Sequence, residues 1–193
     1  MSVASPADAK AVLRRAMLER RRAAHRAIGP EAAQAVADFV LCEIAPQGKN
    51  IAGYWPLGDE LDCRPALEAL SAAGAEVALP VVARQGHALI FRQWKPGDVL
   101  EQGPFGTMHP GPRAAVIVPQ VLLVPLVAFD LEGHRLGYGA GYYDRTLASF
   151  RSQGKITAIG LGYDAQRVDT VHADGHDQAL DGIITNAGVL WFD

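Results

Sequence analysis

Val121-Leu122-Leu123-Val124-Pro125-Leu126-Val127-Ala128-Phe129-Asp130 leads through Gly133-His134-Arg135-Leu136 into Gly137-Tyr138-Gly139-Ala140-Gly141-Tyr142-Tyr143-Asp144-Arg145. Val121 to Val124 is a short apolar run bounded by proline, which reads as a buried strand. A helix is predicted from about Tyr142 to Phe150. A strand that reaches a helix through a glycine-rich passage is the repeating unit of α/β sheets, and ligands sit at such passages. The alternating glycines Gly137, Gly139 and Gly141 carry no Cβ, so their N–H groups stay open to an anion. The helix start adds the positive end of its dipole. Arg135 is placed to pair with the same anion. Asp144, in the first helical turn, either caps that end or holds Mg²⁺. On the glycines alone, a phosphate loop and a tight turn are equally good readings. The spacing is not the dinucleotide fingerprint, and no Gly-Lys-Ser/Thr ending makes it a P-loop.

Working outward, strands are predicted at Asn50–Trp55, Glu76–Val82, Ala88–Phe91, Thr157–Gly162 and Asp181–Thr185. A helix is predicted at Arg64–Ala73, closed by Gly74, and Ala115–Pro119 reads as a short strand or as the entry to the next one. Lys95–Pro112, rich in glycine and proline, reads as a long ordered loop. Strands alternating with helices argue for an α/β protein with a largely parallel sheet, here one domain over residues 1–193.

The N-terminus predicts a helix over residues 8–27 with Asp8 as N-cap, stopped by Gly29-Pro30, then a second from Pro30 to Ile44. Residues 1–28 hold seven of the 18 basic but two of the 21 acidic side chains, which leaves 11 against 19 for the rest. A basic arm thus precedes an acidic body, and it should meet an anion. At 100° per residue, Leu13, Ala16, Met17, Ala24 and Ala27 share an apolar arc. Lys10, Arg14 and Arg21 border the arc, whereas Arg15, Arg22 and Arg26 face outward.

With 49% hydrophobic and 20% charged residues the chain is an ordinary globular one, large enough to bury a real core. Two cysteines exclude a disulfide scaffold and fit a reducing, cytoplasmic setting. Apolar runs are too short for a membrane span, no signal core begins the chain, and a net charge of -3 does not fit a general nucleic-acid binder.

The segment from Pro125 to Arg145 resembles the 5-formyltetrahydrofolate cyclo-ligase family. That family's pattern is an apolar strand, Pro, two or three residues, Phe-Asp, then Gly-x-Arg-Leu-Gly-x-Gly-x-Gly-Tyr/Phe-Tyr-Asp. The likeness runs along nearly the whole chain. Lys10 with Leu13-Arg14 resembles the family's ATP-contacting Lys-x-x-Leu-Arg. Gly53-Tyr54-Trp55-Pro56 with Glu60 resembles its folate-contacting strand and acidic loop. His176-Asp177 with Leu180-Asp181 resembles its C-terminal motif. The chain departs from the pattern at Ala140, where glycine is frequent, at His109, where an acid commonly precedes Pro110, and at Asn186, where Glu is frequent.

The resemblance implies a three-layer α/β/α fold with a mostly parallel central sheet. It also implies an ATP- and Mg²⁺-dependent conversion of 5-formyltetrahydrofolate to 5,10-methenyltetrahydrofolate, with ADP and phosphate released by a monomer. Lys10 and Arg135 would be catalytic. Lys10, Arg14 and Arg135 to Tyr143 (Leu136, Gly137, Tyr138, Gly139, Ala140, Gly141, Tyr142) would bind nucleotide. Trp55, Glu60, Tyr138 and Tyr142 would bind folate, and Asp144 and Asp177 the metal. The rivals are another ATP-using ligase on the same fold and a non-catalytic nucleotide- or folate-binding regulator.

Overall fold

In the computed structural model, which describes residues 6–154 and 156–192, the chain alternates strands with three helices. The order is α1 (Pro6–Glu43), β1 (Asn50–Ala52), α2 (Arg64–Ala72), β2 (Glu76–Val81), β3 (Ile90–Gln93), β4 (Leu100–Gln102), β5 (Met108–Pro110), β6 (Val121–Pro125), β7 (Ala128–Phe129), β8 (Arg135–Leu136), α3 (Tyr142–Gln153), β9 (Thr157–Gly162), β10 (Gly182–Thr185) and β11 (Gly188–Trp191). Seven strands form one sheet in the order β11-β10-β9-β6-β1-β2-β3. The five from β10 to β2 are parallel, and β11 and β3 close the two edges antiparallel.

Strand alternation builds the layers. Ile51, Val77, Leu79, Leu123, Ile159 and Ile184 point to one face, where Val36 and Val40 of α1 and Leu67 and Leu70 of α2 cover them. Ala52, Ala78, Leu122, Val124, Ala158 and Ile183 point to the other, against Leu147 of α3 and Phe91. This is the expected α/β/α sandwich. Because both faces are covered, the central strands read as continuous apolar runs rather than as alternation.

The strand order also fixes where a ligand can enter. The chain leaves β1 toward β2 on one side, whereas β6 is followed by β9 and β10 on the other. The reversal lies between β1 and β6, and crevices in such sheets open at the carboxyl ends of the strands flanking it.

Four expectations need correction. The N-terminal helices run together as α1, which starts at Pro6, so Asp8 lies inside the first turn rather than capping it; the break falls at Ile28 (φ -141, ψ 19), just before Gly29-Pro30. A proline at the start of the second half forfeits no hydrogen bond that its neighbours need, so it kinks without opening a loop. On the first half Met17 is buried, but Ala16 and Ala27 are exposed, and the stripe continues through Arg21, only 2% exposed. Lys95–Pro112 is not strandless, because β4 and β5 pair as a hairpin. Ala115–Pro119 contributes only a single bridge, Val116 to Arg92, and β7, β8 and β11 arise where no strand was expected.

Candidate active site

A cleft of about 1510 Å³ opens at the carboxyl ends of β1, β2 and β6, where Tyr54, Trp55, Val82 and Pro125 line it. The first half of α1 contributes Lys10, Arg14 and Arg21 to its wall, while Arg15, Arg22 and Arg26 stay exposed, as helical phase predicted. Every residue implied as a site residue lines this one cleft: Trp55 and Glu60, Arg135 through Asp144, Asp177, and the two basic residues Lys10 and Arg14.

Short β7 and β8 form a hairpin that delivers the chain from the sheet to Gly137. Gly139 (φ 94) and Gly141 (φ 67) have left-handed backbones that side-chain-bearing residues rarely adopt. A Cβ on Gly139 would also lie 3.5 Å from the Arg14 guanidinium. Arg14 Nε donates to the Gly137 carbonyl at 2.8 Å, and Arg145 Nη2 donates to the Ala140 carbonyl at 2.8 Å. Two arginines therefore shape the loop from its carbonyl side. Gly141 begins α3 with no side-chain cap, which leaves the first-turn N–H groups to a ligand.

The charges in this half are arranged differently from expectation. Arg135 is nearly buried. Its Nη2 donates to Asp144 Oδ1 at 2.8 Å and its Nη1 to the Gln178 carbonyl at 2.6 Å. Arg135 is therefore ion-paired before any anion arrives: a guanidinium this far from water takes a carboxylate partner, and Asp144 is that partner. Nor does Asp144 cap α3; its Oδ1 also accepts the Gln178 N–H at 3.1 Å. Lys10 Nζ donates to Asp177 Oδ2 at 2.7 Å and to Asp174 Oδ2 at 2.8 Å. Burial pulls its pKa down, but the two carboxylates outweigh that and hold it above the usual lysine value.

Toward β1 the cleft becomes aromatic and acidic. The Trp55 ring meets Trp94 edge-on at 6.2 Å and carries the Arg64 guanidinium 5.1 Å from its centroid. Tyr142 faces Phe105 at 6.3 Å and Arg145 at 5.2 Å. Glu60 is not an exposed loop acid: it is 4% exposed, and its Oε2 accepts the Leu57 N–H at 2.8 Å. Burial pushes its carboxyl above the ordinary range, while the Leu57 N–H, Tyr138 and Arg21 pull the other way. Tyr138 leans from the glycine loop over Arg21, 5.3 Å from the ring centroid to Cζ. Tyr143 lies deeper, and burial pushes its phenol well above ordinary values.

A family model described as the 5-formyltetrahydrofolate cyclo-ligase family matches residues 6–186. This chain belongs to the 5-formyltetrahydrofolate cyclo-ligase family. It is a ligase of folate one-carbon chemistry. It is 32% identical to the 5-formyltetrahydrofolate cyclo-ligase of Mycolicibacterium smegmatis over 184 residues, which cover 91% of this chain and 93% of that one. The enzyme of the same name from Escherichia coli K12 is 31% identical over 183 residues, 90% of this chain and 98% of the other. Among solved structures, the Aquifex aeolicus 5,10-methenyltetrahydrofolate synthetase superposes with a TM-score of 0.78 at 28% identity, covering 94% of this chain and 92% of its own.

Sequence reasoning missed Phe105 as a wall residue. It is 68% exposed, sits at the tip of the β4–β5 hairpin with a left-handed backbone (φ 61), and lines the cleft. An exposed aromatic in a strained conformation is a functional signal, but neither exposure nor φ is written in the sequence. Asp174, three residues before Asp177, was also missed. Among the described residues one trio of metal-type side chains lies close together, Asp130, Glu132 and His134, and none of them lines the cleft. Asp130 is spent on the N–H groups of Glu132, His134 and Val171.

Proposed function

We propose that this cleft closes the ring of 5-formyltetrahydrofolate to give 5,10-methenyltetrahydrofolate, with ATP cleaved to ADP and phosphate. One observation carries the reading. Gly137 belongs to the open glycine loop, and the next residue, Tyr138, reaches Glu60 and Arg21 at the acidic, aromatic end. A nucleotide on the loop and a pterin at Glu60 would therefore be neighbours, as transfer of a phosphoryl group between them requires.

The chemistry explains the need for ATP. A formamide oxygen is a poor leaving group. Transfer of the γ-phosphoryl to the formyl oxygen gives an iminium phosphate with ADP leaving; the N10 amine then attacks the formyl carbon and gives up its proton to solvent, and phosphate departs with that oxygen. The loop N–H groups and the start of α3 hold the phosphates, Arg14 holds the loop, and Lys10 supplies positive charge once phosphate competes for it with Asp174 and Asp177. Arg135 acts by fixing Asp144 and the Gln178 segment. Trp55, Phe105 and Tyr142 wall the flat rings.

The cleft is lined by five basic and five acidic side chains, so a polyanionic nucleotide needs a counter-cation there. Asp144 and Asp177 fit a hard divalent ion: both offer oxygen donors, and in each one oxygen is committed to a cation of the protein while the other has no hydrogen-bond partner among the described residues. Bound with ATP, Mg²⁺ would neutralise charge on the phosphates.

No described helix is long and apolar enough to cross a membrane. The reading takes the chain as a one-domain, monomeric, cytoplasmic enzyme. The test is purified protein with 5-formyltetrahydrofolate and Mg²⁺, with and without ATP, followed by methenyl absorbance. Product only with ATP, one ADP per ring closed, supports it; product formed equally fast without nucleotide, or ligand binding with no turnover, overturns it.

A further inference from the structure

Arg21 is the most buried charged side chain of the cleft wall. It is 2% exposed, and among the described residues only Nη2 of its three nitrogens has a hydrogen-bond partner, Asp59 Oδ1 at 2.8 Å. Among the described residues Nε and Nη1 are shut from solvent with no hydrogen-bond acceptor, and Asp59 Oδ2 is likewise unpaired, with Arg22 Nε 4.0 Å away. Buried donors of a charged group left unmade are costly, and their persistence needs an explanation such as a ligand. Arg21 plays no part in the loop or the charge clusters assigned above. Its position on α1 is set by Met17, one turn earlier, which anchors the helix in the core.

The surroundings say what kind of group would satisfy it. Arg21 offers only donors and sits beside two carboxylates, Asp59 and Glu60, that offer only acceptors. A ligand edge that fits must present an acceptor next to donors. Tyr138 already imitates this in part. Glu60 and Arg21 both act on its phenol, a group that can donate to the acid and accept from the guanidinium. The ring is 47% exposed and flanked by Gly137 and Gly139, so a ligand entering the cleft competes with it for Arg21. A 2-amino-4-oxo pteridine has the required edge, with a carbonyl at position 4 beside the N3–H and the 2-amino group.

We propose that Arg21 is a specificity-determining residue that reads the 4-oxo group of the pterin, while the Asp59–Glu60 carboxylates read its donor edge. This rests on the folate reading of the cleft. A 4-amino pteridine reverses the pattern: it sets a donor against the guanidinium and lacks the N3–H, leaving buried polar groups unpaired. Sites built on such hydrogen bonds reject the mismatched analogue strongly.

The test is calorimetric binding, without ATP, of 5-formyltetrahydrofolate and of its 4-amino-4-deoxy counterpart to the full chain. Wild-type protein should favour the 4-oxo ligand by about ten- to a hundredfold, the worth of a charged hydrogen bond. Arg21→Lys keeps a charge for Asp59 but loses the planar fork, and Arg21→Met keeps bulk alone. In both, the preference should fall to about threefold or less. Thermal melting identifies a variant that does not fold, and the other then carries the comparison. A wild-type preference near one, or an unchanged preference in either folded variant, overturns the assignment. ATP-dependent turnover of 5-formyltetrahydrofolate is measured separately: its absence beside an intact 4-oxo preference overturns the catalytic reading alone.

Discussion

Glu60→Gln separates a recognition role from a structural one, because the two move stability and binding in opposite directions. In the folded protein burial holds the Glu60 carboxyl above its unfolded value. Folding therefore favours the protonated form, and ionising the group costs stability as pH rises from the unfolded pKa through the folded one. A glutamine has nearly the same shape, still accepts the Leu57 N–H, and carries no charge to bury. At neutral pH the variant should melt at or above the wild-type temperature. Folate loses a charge-assisted acceptor worth about 1.5–3 kcal/mol, or roughly ten- to a hundredfold in affinity. Steady-state rates at saturating ATP should show the folate KM raised by that factor, and the ATP KM within about twofold of wild type. An unchanged folate KM with a raised ATP KM would place Glu60 at the nucleotide; an early-melting protein with normal kinetics would make it a structural acid.

Lys10→Ala should raise the ATP KM by about tenfold or more, since it removes a charge-assisted contact to phosphate, whereas Arg22→Ala, half-exposed beside Glu19, should leave kinetics near wild type; equal losses would mean that net arm charge matters rather than placement. Asp144→Asn keeps an oxygen for Arg135 and the Gln178 N–H but loses the negative charge, so the protein should stay folded, turn over slowly and recover partly at raised Mg²⁺; an early-melting variant with normal turnover would refute the metal role. Asp130→Asn, in the fully buried carboxylate that accepts three backbone N–H groups, should cost about 1–3 kcal/mol, a drop in Tm of roughly 2–12 °C at neutral pH. The folded Asp130 carboxyl lies below its usual range, with burial opposed by those N–H groups, so its contribution is present above the unfolded pKa and disappears as pH falls through the folded one; a Tm difference that persists undiminished in acid would contradict this.

What the sequence revealed followed from patterns that one element carries by itself. β9 matches Thr157–Gly162 to the residue because its run after Thr157 carries no polar side chain and ends before a turn. The start of α3 at Tyr142 was legible from the glycines that precede it. The inward phase of Lys10, Arg14 and Arg21 was legible from helical geometry, but the near-complete burial of Arg21 was not, because an arginine in an apolar stripe is explained only by Asp59, 38 residues later. Arg135 and Asp144 were both singled out, yet their mutual pairing was not foreseen: at a separation of nine residues across a strand-to-helix turn, nothing in the spacing says that they meet. The β4–β5 hairpin and Phe105 were hidden by a composition of glycine and proline that a loop and a tight hairpin share.

The central claim is that ring closure proceeds by phosphoryl transfer to the formyl oxygen, and the fate of that oxygen tests it most directly. The protein would be given 5-formyltetrahydrofolate carrying ¹⁸O in the formyl group, with ATP and Mg²⁺ in ordinary water, and the released phosphate would be analysed by mass. The account predicts one ¹⁸O in the phosphate for each methenyl product formed. Phosphate without the label, with the ¹⁸O found in water, would contradict it.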